Sequence, residues 1–227
     1  SGPAMASSDK LRIDVHGRQT HGAAPWLGVD PIVTAAQVVL GLQTVVSRTQ
    51  DITQEPAVVT IGAIRGGVRE NIIPDSVEMR GTIRSYKPEV RAKLLDGVRR
   101  TAKAAALMAG APEPEVKLEQ GGLAVVNAES VVSTTEAVLK DTLGAKNVFR
   151  VPPITASEDF SAFVNQGVPA MFFFVGVSEP QQFMDSLKPG GKPLPFNHSP
   201  QFAPVPEPSI KTGVQAMTLA VLGALGR

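Results

Sequence analysis

The sequence predicts an α/β chain in two parts. Residues 9–119 read as an α+β domain of ferredoxin-like βαββαβ order, and residues 120–227 as a partial α/β layer of alternating helix and strand. Three observations predict this. Stretches of period-two alternation open, interrupt and close the first part. Two long stretches of helical period lie between them, each with proline at its start. Gly121-Gly122 then marks a change of composition.

Each element has its own justification. From Lys10 to His16, Leu11, Ile13 and Val15 fall on one face and Arg12, Asp14 and His16 on the other, as in a half-buried strand. Asp30 before Pro31 is an N-cap followed by the residue suited to the first helical position. Ile32, Ala35, Ala36, Val39, Leu42 and Val46 recur at helical spacing up to Arg48, while Val38 and Val45 make a second apolar side. A helix apolar on two sides has a second surface to cover, such as a partner subunit.

Ala57 to Ile64 is a β-branched strand broken by Arg65-Gly66-Gly67. Asn71-Ile72-Ile73-Pro74-Asp75 is a short extended piece with a turn, and Asn71 and Arg84 are expected on either side of it. Val77, Met79, Gly81 and Ile83 alternate with Glu78, Arg80, Thr82 and Arg84, giving another strand. Pro88 opens the second helix, with Val90, Leu94, Leu95, Val98, Ala102, Ala105 and Leu107 inward and a stop at Gly110 before Pro112. Glu115 to Glu119 completes the first part.

In the second part, Ala128 to Leu143 is an amphipathic helix and Asn147 to Val151 a short strand. Thr155-Ala156-Ser157-Glu158-Asp159-Phe160 begins a short helix, and Pro169 to Val177 reads as a buried strand. Phe183 to Phe196 is a Pro/Gly-rich loop, and Pro208 to Leu225 a closing helix.

Composition narrows the function. The 227 residues are 43% hydrophobic and 19% charged with a net charge of +1, so nothing draws the chain to nucleic acid or a membrane. Val168 to Val177 is far short of the roughly 20 apolar residues that a bilayer requires. There is no cysteine, which excludes disulfides, thiolate ligands and a cysteine nucleophile. Residues 1–8 lack the basic and apolar regions of a signal peptide; the expectation is a cytoplasmic protein, with a periplasmic or secreted one as the alternative. No phosphate loop, serine elbow or HExxH motif is present.

A few residues could carry chemistry. His21, one of three histidines, lies in a loop with Gly22 and Ala23 following it; a turn histidine is the more economical account of it taken alone. His198 is a lone loop histidine, whereas a catalytic zinc site takes about three protein ligands. Ser157-Glu158-Asp159 is accounted for as an N-cap and an acidic first turn. Asn71 and Arg84 read as solvated, with a carboxylate clamp as the functional option for Arg84. The residues alone leave the function open.

Taken together they resemble a known family. Gln19-Thr20-His21-Gly22-Ala23-Ala24-Pro25 with Gly28-Val29-Asp30-Pro31 is similar to the Gly-Gly-His-Ala-x-x-Pro…Gly-x-Asp-Pro signature of the di-zinc aminoacylase/carboxypeptidase metallopeptidases. Asn71-Ile72-Ile73-Pro74-Asp75, Gly81-Thr82-Ile83-Arg84, Ser157-Glu158-Asp159-Phe160 and His198-Ser199-Pro200 follow in the order and spacing of the hippurate hydrolase and auxin-conjugate amidohydrolase branch. That family also carries a Cys-Gly-His-Asp metal motif and a Glu-Glu pair, neither of which occurs in this chain.

The resemblance implies a fragment: a lid or dimerisation domain at 9–119, and a partial catalytic domain from 1–8 and 120–227. It implies hydrolysis of the amide bond of N-acyl amino acids or small peptides by a metal-activated water. Two divalent ions per site are implied in the parent (zinc, or manganese, cobalt or nickel), with none held by the fragment, which would be inactive. His21 would stabilise the oxyanion, in trans across a homodimer; Asn71 and Arg84 would bind substrate, Arg84 at its carboxylate; His198 would be a metal ligand. Ser157, Glu158 and Asp159 would lie near the site without an assigned role. The homodimer would form through helix 31–48 and edge strand 57–64. The alternative is a non-catalytic ferredoxin-like dimerisation or small-molecule-binding module.

Overall fold

A computed structural model of the chain describes residues 1–54 and 56–226; Glu55 and Arg227, the last residue of the expected second part, lie outside the described residues. The described chain divides into two compact units, Ser1–Val126 with Pro152–Ala170, and Asn127–Val151 with Met171–Arg227.

The first unit begins with β1 (Gly2–Met5), β2 (Asp9–His16) and the two-residue β3 (Thr20–His21). Then come α1 (Pro31–Ser47), β4 (Val58–Gly66), β5 (Ile72–Ile73), β6 (Ser76–Arg84), α2 (Pro88–Met108) and β7 (Glu115–Gln120). A four-stranded sheet has the order β4-β6-β2-β7, and each neighbouring pair is antiparallel. With α1 and α2 in the two crossovers, this is the ferredoxin-like arrangement that the element order predicts. β1 pairs with β8 (Val125–Asn127) in a separate ribbon.

The core follows from the alternation. Leu11, Ile13 and Val15 of β2 meet Val77, Met79 and Ile83 of β6, covered by Ala35, Val38, Leu42 and Val45 of α1 and Val90, Leu94 and Val98 of α2. Leu11, Ile13, Leu42, Met79, Ile83 and Leu94 are at most 2% exposed, and burying each such side chain stabilises by about 1.5–3 kcal/mol.

The helix faces differ from the sequence reading. α1 buries Ala35, Val38, Leu42 and Val45, whereas Ile32, Val33 and Leu40 are 47%, 54% and 71% exposed. Both sides are apolar, so periodicity alone could not choose which one the sheet takes. In α2, Leu107, expected inward, is 79% exposed while its neighbour Ala106 is buried, because one residue turns the helix by about 100°. β4 runs on through Arg65 and Gly66, and a bulge lies between Ile61 and Ala63.

The second unit contains α3 (Glu129–Leu143), and in the first unit's return stretch lies α4 (Ser161–Asn165). α5 (Pro180–Ser186) and α6 (Pro206–Ala224) complete the second unit. α3 buries Val132, Thr135 and Leu139 and packs on α6. Three expectations fail here. Residues 148–151 form no strand; a short 3-10 turn at Ala145–Asn147 is followed by irregular chain. The first residues of the expected Pro/Gly-rich loop, 183–186, are the end of α5. The apolar run at 169–177 is neither a strand nor buried. It has strand composition but no ladder partner among the described residues. The Asn127 side chain takes that part instead: its Nδ2 donates to the Phe172 carbonyl and its Oδ1 accepts from Phe172 N–H, both at 2.8 Å.

Candidate functional site

The His21 loop is closed at its base. Arg18 N–H donates to the Val29 carbonyl at 2.9 Å, and Val29 N–H returns to the Arg18 carbonyl at 3.1 Å. Gly28 is required for this approach, since a β-carbon there would stand 2.5 Å from the Arg18 carbonyl oxygen. Asp30 then caps α1, its Oδ1 accepting from the N–H groups of Ile32 at 2.8 Å and Val33 at 3.2 Å. The motif thus fixes both the loop base and the helix start.

Within the loop, β3 pairs antiparallel with β5, His21 opposite Ile72, and Gly22 N–H donates to the Asn71 carbonyl at 2.8 Å. His21 and Asn71 are brought to one end of the sheet, and both are exposed. The imidazole has a defined orientation: its Nδ1 accepts from Ala23 N–H at 3.0 Å. A ring nitrogen that accepts carries no proton, so in the neutral ring the proton is on Nε2. His21 therefore presents an outward N–H donor. Trp26, the chain's one tryptophan, is 75% exposed on the 3-10 turn that follows; the sequence reading passed over it.

Arg84 lies elsewhere. Asn71 and Arg84 do not flank one turn: Asn71 is beyond the start of β6, and Arg84 is its last residue. At a rise of about 3.3 Å per residue, the length of Ser76–Arg84 separates those ends by roughly 26 Å. The long strand, legible as alternation, is what carries them apart.

At its own end Arg84 meets the return stretch. Its Nη1 donates to the Ser157 hydroxyl at 2.8 Å. Ser157 is not an N-cap: α4 starts at Ser161 after Phe160, with no side-chain cap. Glu158 and Asp159 are likewise not in a first helical turn; Glu158 Oε1 accepts from Asp159 N–H at 2.9 Å. Ser8, Gly122, Ser157, Glu158 and Asp159 line a cleft of about 340 Å³. No local signal could have revealed the Arg84–Ser157 contact, since its partners are 73 residues apart.

His198 belongs to the second unit and is exposed. Its φ of 71° makes it the one non-glycine with positive φ among the described residues. Ser199 N–H donates to the Phe196 carbonyl at 3.0 Å, closing a turn with His198 third, a position where positive φ usually selects glycine or asparagine. Such a conformation in a histidine marks a functional candidate. The remaining histidine, His16, has its Nε2 3.8 Å from a Glu115 carboxylate oxygen. Among the described residues, no three His, Cys, Asp or Glu side chains come together as a group able to hold a metal ion. No helix among them is long and apolar enough to cross a membrane.

Residues 6–108 match the peptidase dimerisation domain family. The chain is 35% identical over 221 residues to thermostable carboxypeptidase 2 of Saccharolobus solfataricus, covering 97% of this chain and 52% of that protein. It is 38% identical over 165 residues to hippurate hydrolase of Campylobacter jejuni, covering 71% of this chain and 42% of the relative. A solved Bacillus subtilis structure, described as a dinuclear metal-binding peptidase of the M20 family, aligns with a TM-score of 0.70 and 26% identity, over 98% of this chain and 51% of that one. The chain spans about half the length of the curated relatives it matches.

Proposed function

We propose that this chain, whose residues 6–108 match the peptidase dimerisation domain family, supplies the lid and return segment of a metal-dependent amidohydrolase of the M20 metallopeptidase family. The substrate is an N-acyl amino acid or small peptide, and the bond cleaved is the amide. The observation that carries this reading is the His21 loop, where the Ala23 N–H on Nδ1 leaves Nε2–H directed outward. A preplaced N–H donor is what an oxyanion requires as negative charge develops on the carbonyl oxygen. Asn71, at the same end of the sheet, orients the substrate amide.

Arg84 binds the substrate carboxylate. An N-acyl amino acid carries its carboxylate only a few ångströms from the scissile carbonyl. One substrate therefore cannot reach His21 and Arg84 of a single protomer across roughly 26 Å. That separation supports a shared site in which His21 and Asn71 serve the partner subunit and Arg84 serves its own. The exposed Ile32, Val33 and Leu40 on α1, and the position of β4 at the sheet edge, support dimerisation through residues 31–48 and 57–64.

His198 is one ligand of a metal site completed outside this chain. Divalent ions there would polarise the carbonyl and lower the pKa of a bound water. This chain's own share of the chemistry is to orient substrate and stabilise charge, and alone it is inactive. On α6, Ile210, Val214, Met217 and Val221 are 65%, 63%, 56% and 50% exposed, which supports a place within a larger domain.

The test is hydrolysis by the metal-loaded parent. It should release the free amino acid from N-acyl amino acids and lose that activity on chelation. Tight binding of these compounds without turnover would overturn the reading in favour of a binding module.

A further inference from the structure

Arg84 differs from the arginines around it. Arg12 pairs with Asp14 and Glu78, Arg80 with Glu78, and Arg91 with Asp9. Among the described residues, Arg84 has no carboxylate partner; its guanidinium is held by a neutral hydroxyl, that of Ser157. Arg84 is partly buried, so its charge is kept where solvent screens it less.

The geometry of a guanidinium gives this contact a consequence. Its five N–H bonds lie in one plane and point in fixed directions. A hydrogen bond at Nη1 fixes that plane but leaves the edge formed by Nε–H and Nη2–H for two parallel bonds to a carboxylate. A hydroxyl at this position orients the group without neutralising it. A carboxylate would compete with the ligand.

We propose that Ser157 is a positioning residue for substrate: its hydroxyl holds Arg84 at Nη1 and leaves the Nε/Nη2 edge for the substrate carboxylate. This rests on the reading of Arg84 as the carboxylate-binding residue. It assigns the Ser-Glu-Asp segment a task in recognition, carried by its serine.

The experiment compares, in the metal-loaded parent, an N-acyl amino acid with the matching N-acyl amino-acid amide, which lacks the carboxylate. Ser157→Ala should raise KM for the acid about 10-fold, the scale of one hydrogen bond to a charged group, with kcat nearly unchanged. Ser157→Thr should restore the wild-type KM, and Ser157→Asp should raise it further than alanine does. KM for the amide should not change in any of the three, which separates positioning from general loss of structure. Arg84→Met is the control for the underlying reading and should abolish the preference for the acid. If Arg84→Met leaves the preference intact, the reading of Arg84 fails. If it removes the preference while Ser157→Ala leaves KM for the acid unchanged, the role of Ser157 alone is overturned.

Discussion

Asp9 and Arg91 form a two-pronged ion pair that ties the start of β2 to the first turn of α2. Asp9 is 1% exposed, and its Oδ2 accepts from Arg91 Nε at 2.8 Å and its Oδ1 from Nη2 at 2.7 Å. The Arg91 side chain is 20% exposed. The two partners therefore differ in what happens when the other is removed. Arg91→Met leaves a carboxylate buried without an answering charge and should cost ~3–5 kcal/mol. Asp9→Asn should cost less, because Arg91 can still reach water. Denaturant unfolding of both variants checks the order.

Gly81 of β6 lies opposite Ile61 of β4 in the ladder. A β-carbon there would lie 1.9 Å from the Thr60 carbonyl oxygen, a backbone atom that cannot move without disturbing the ladder. Gly81→Ala should destabilise the first unit by ~1–3 kcal/mol, as overpacking does. Gly62→Ala, with nothing within 4 Å, should cost less by the same measurement.

In the second unit, hydrogen bonds from Lys140 and Arg150 hold the Glu136 carboxyl down at about 2, from an ordinary 4.5. A carboxylate with a depressed pKa stabilises the fold above its unfolded value and loses that contribution as it protonates. The stabilisation should thus be complete above about pH 4.5 and fall away as the pH drops toward 2. Glu136→Gln should flatten that part of the stability profile. Thermal unfolding from pH 2 to 6 compares the two.

The isolated chain should not hold zinc stoichiometrically at micromolar concentrations, since His198 can provide only one ligand of the three or so required. Equilibrium dialysis against zinc tests this. One tightly bound ion per chain would contradict it.

Elements with local punctuation were readable in the sequence. Asp30-Pro31 and the alternation of Leu11, Ile13 and Val15 or Val77, Met79 and Ile83 gave α1, β2 and β6 and with them the ferredoxin-like element order. What failed depended on distant partners. The side of α1 that turns inward is set by the sheet, not by the helix. The run at 169–177 needed a neighbouring strand to become one and met the Asn127 amide instead. Ser157 looked like a cap because serine before acidic residues fits a helix start, yet its hydroxyl is engaged by Arg84. The motif residues were legible through resemblance, but the length of β6 between Asn71 and Arg84 acquired meaning only in three dimensions.

The central claim is that His21 acts in the partner's site and Arg84 in its own. Two variants of the parent, His21→Ala and Arg84→Ala, should each be impaired as homodimers with unchanged metal content, the first by ~10²–10³ in turnover. The direct measurement is the activity of the purified mixed dimer with one variant in each subunit. If the two residues belong to different sites, one site receives both lesions and the other none. The mixed dimer should then show one site of wild-type activity. Activity no higher than that of the two homodimers would place both residues in a single site and contradict the account.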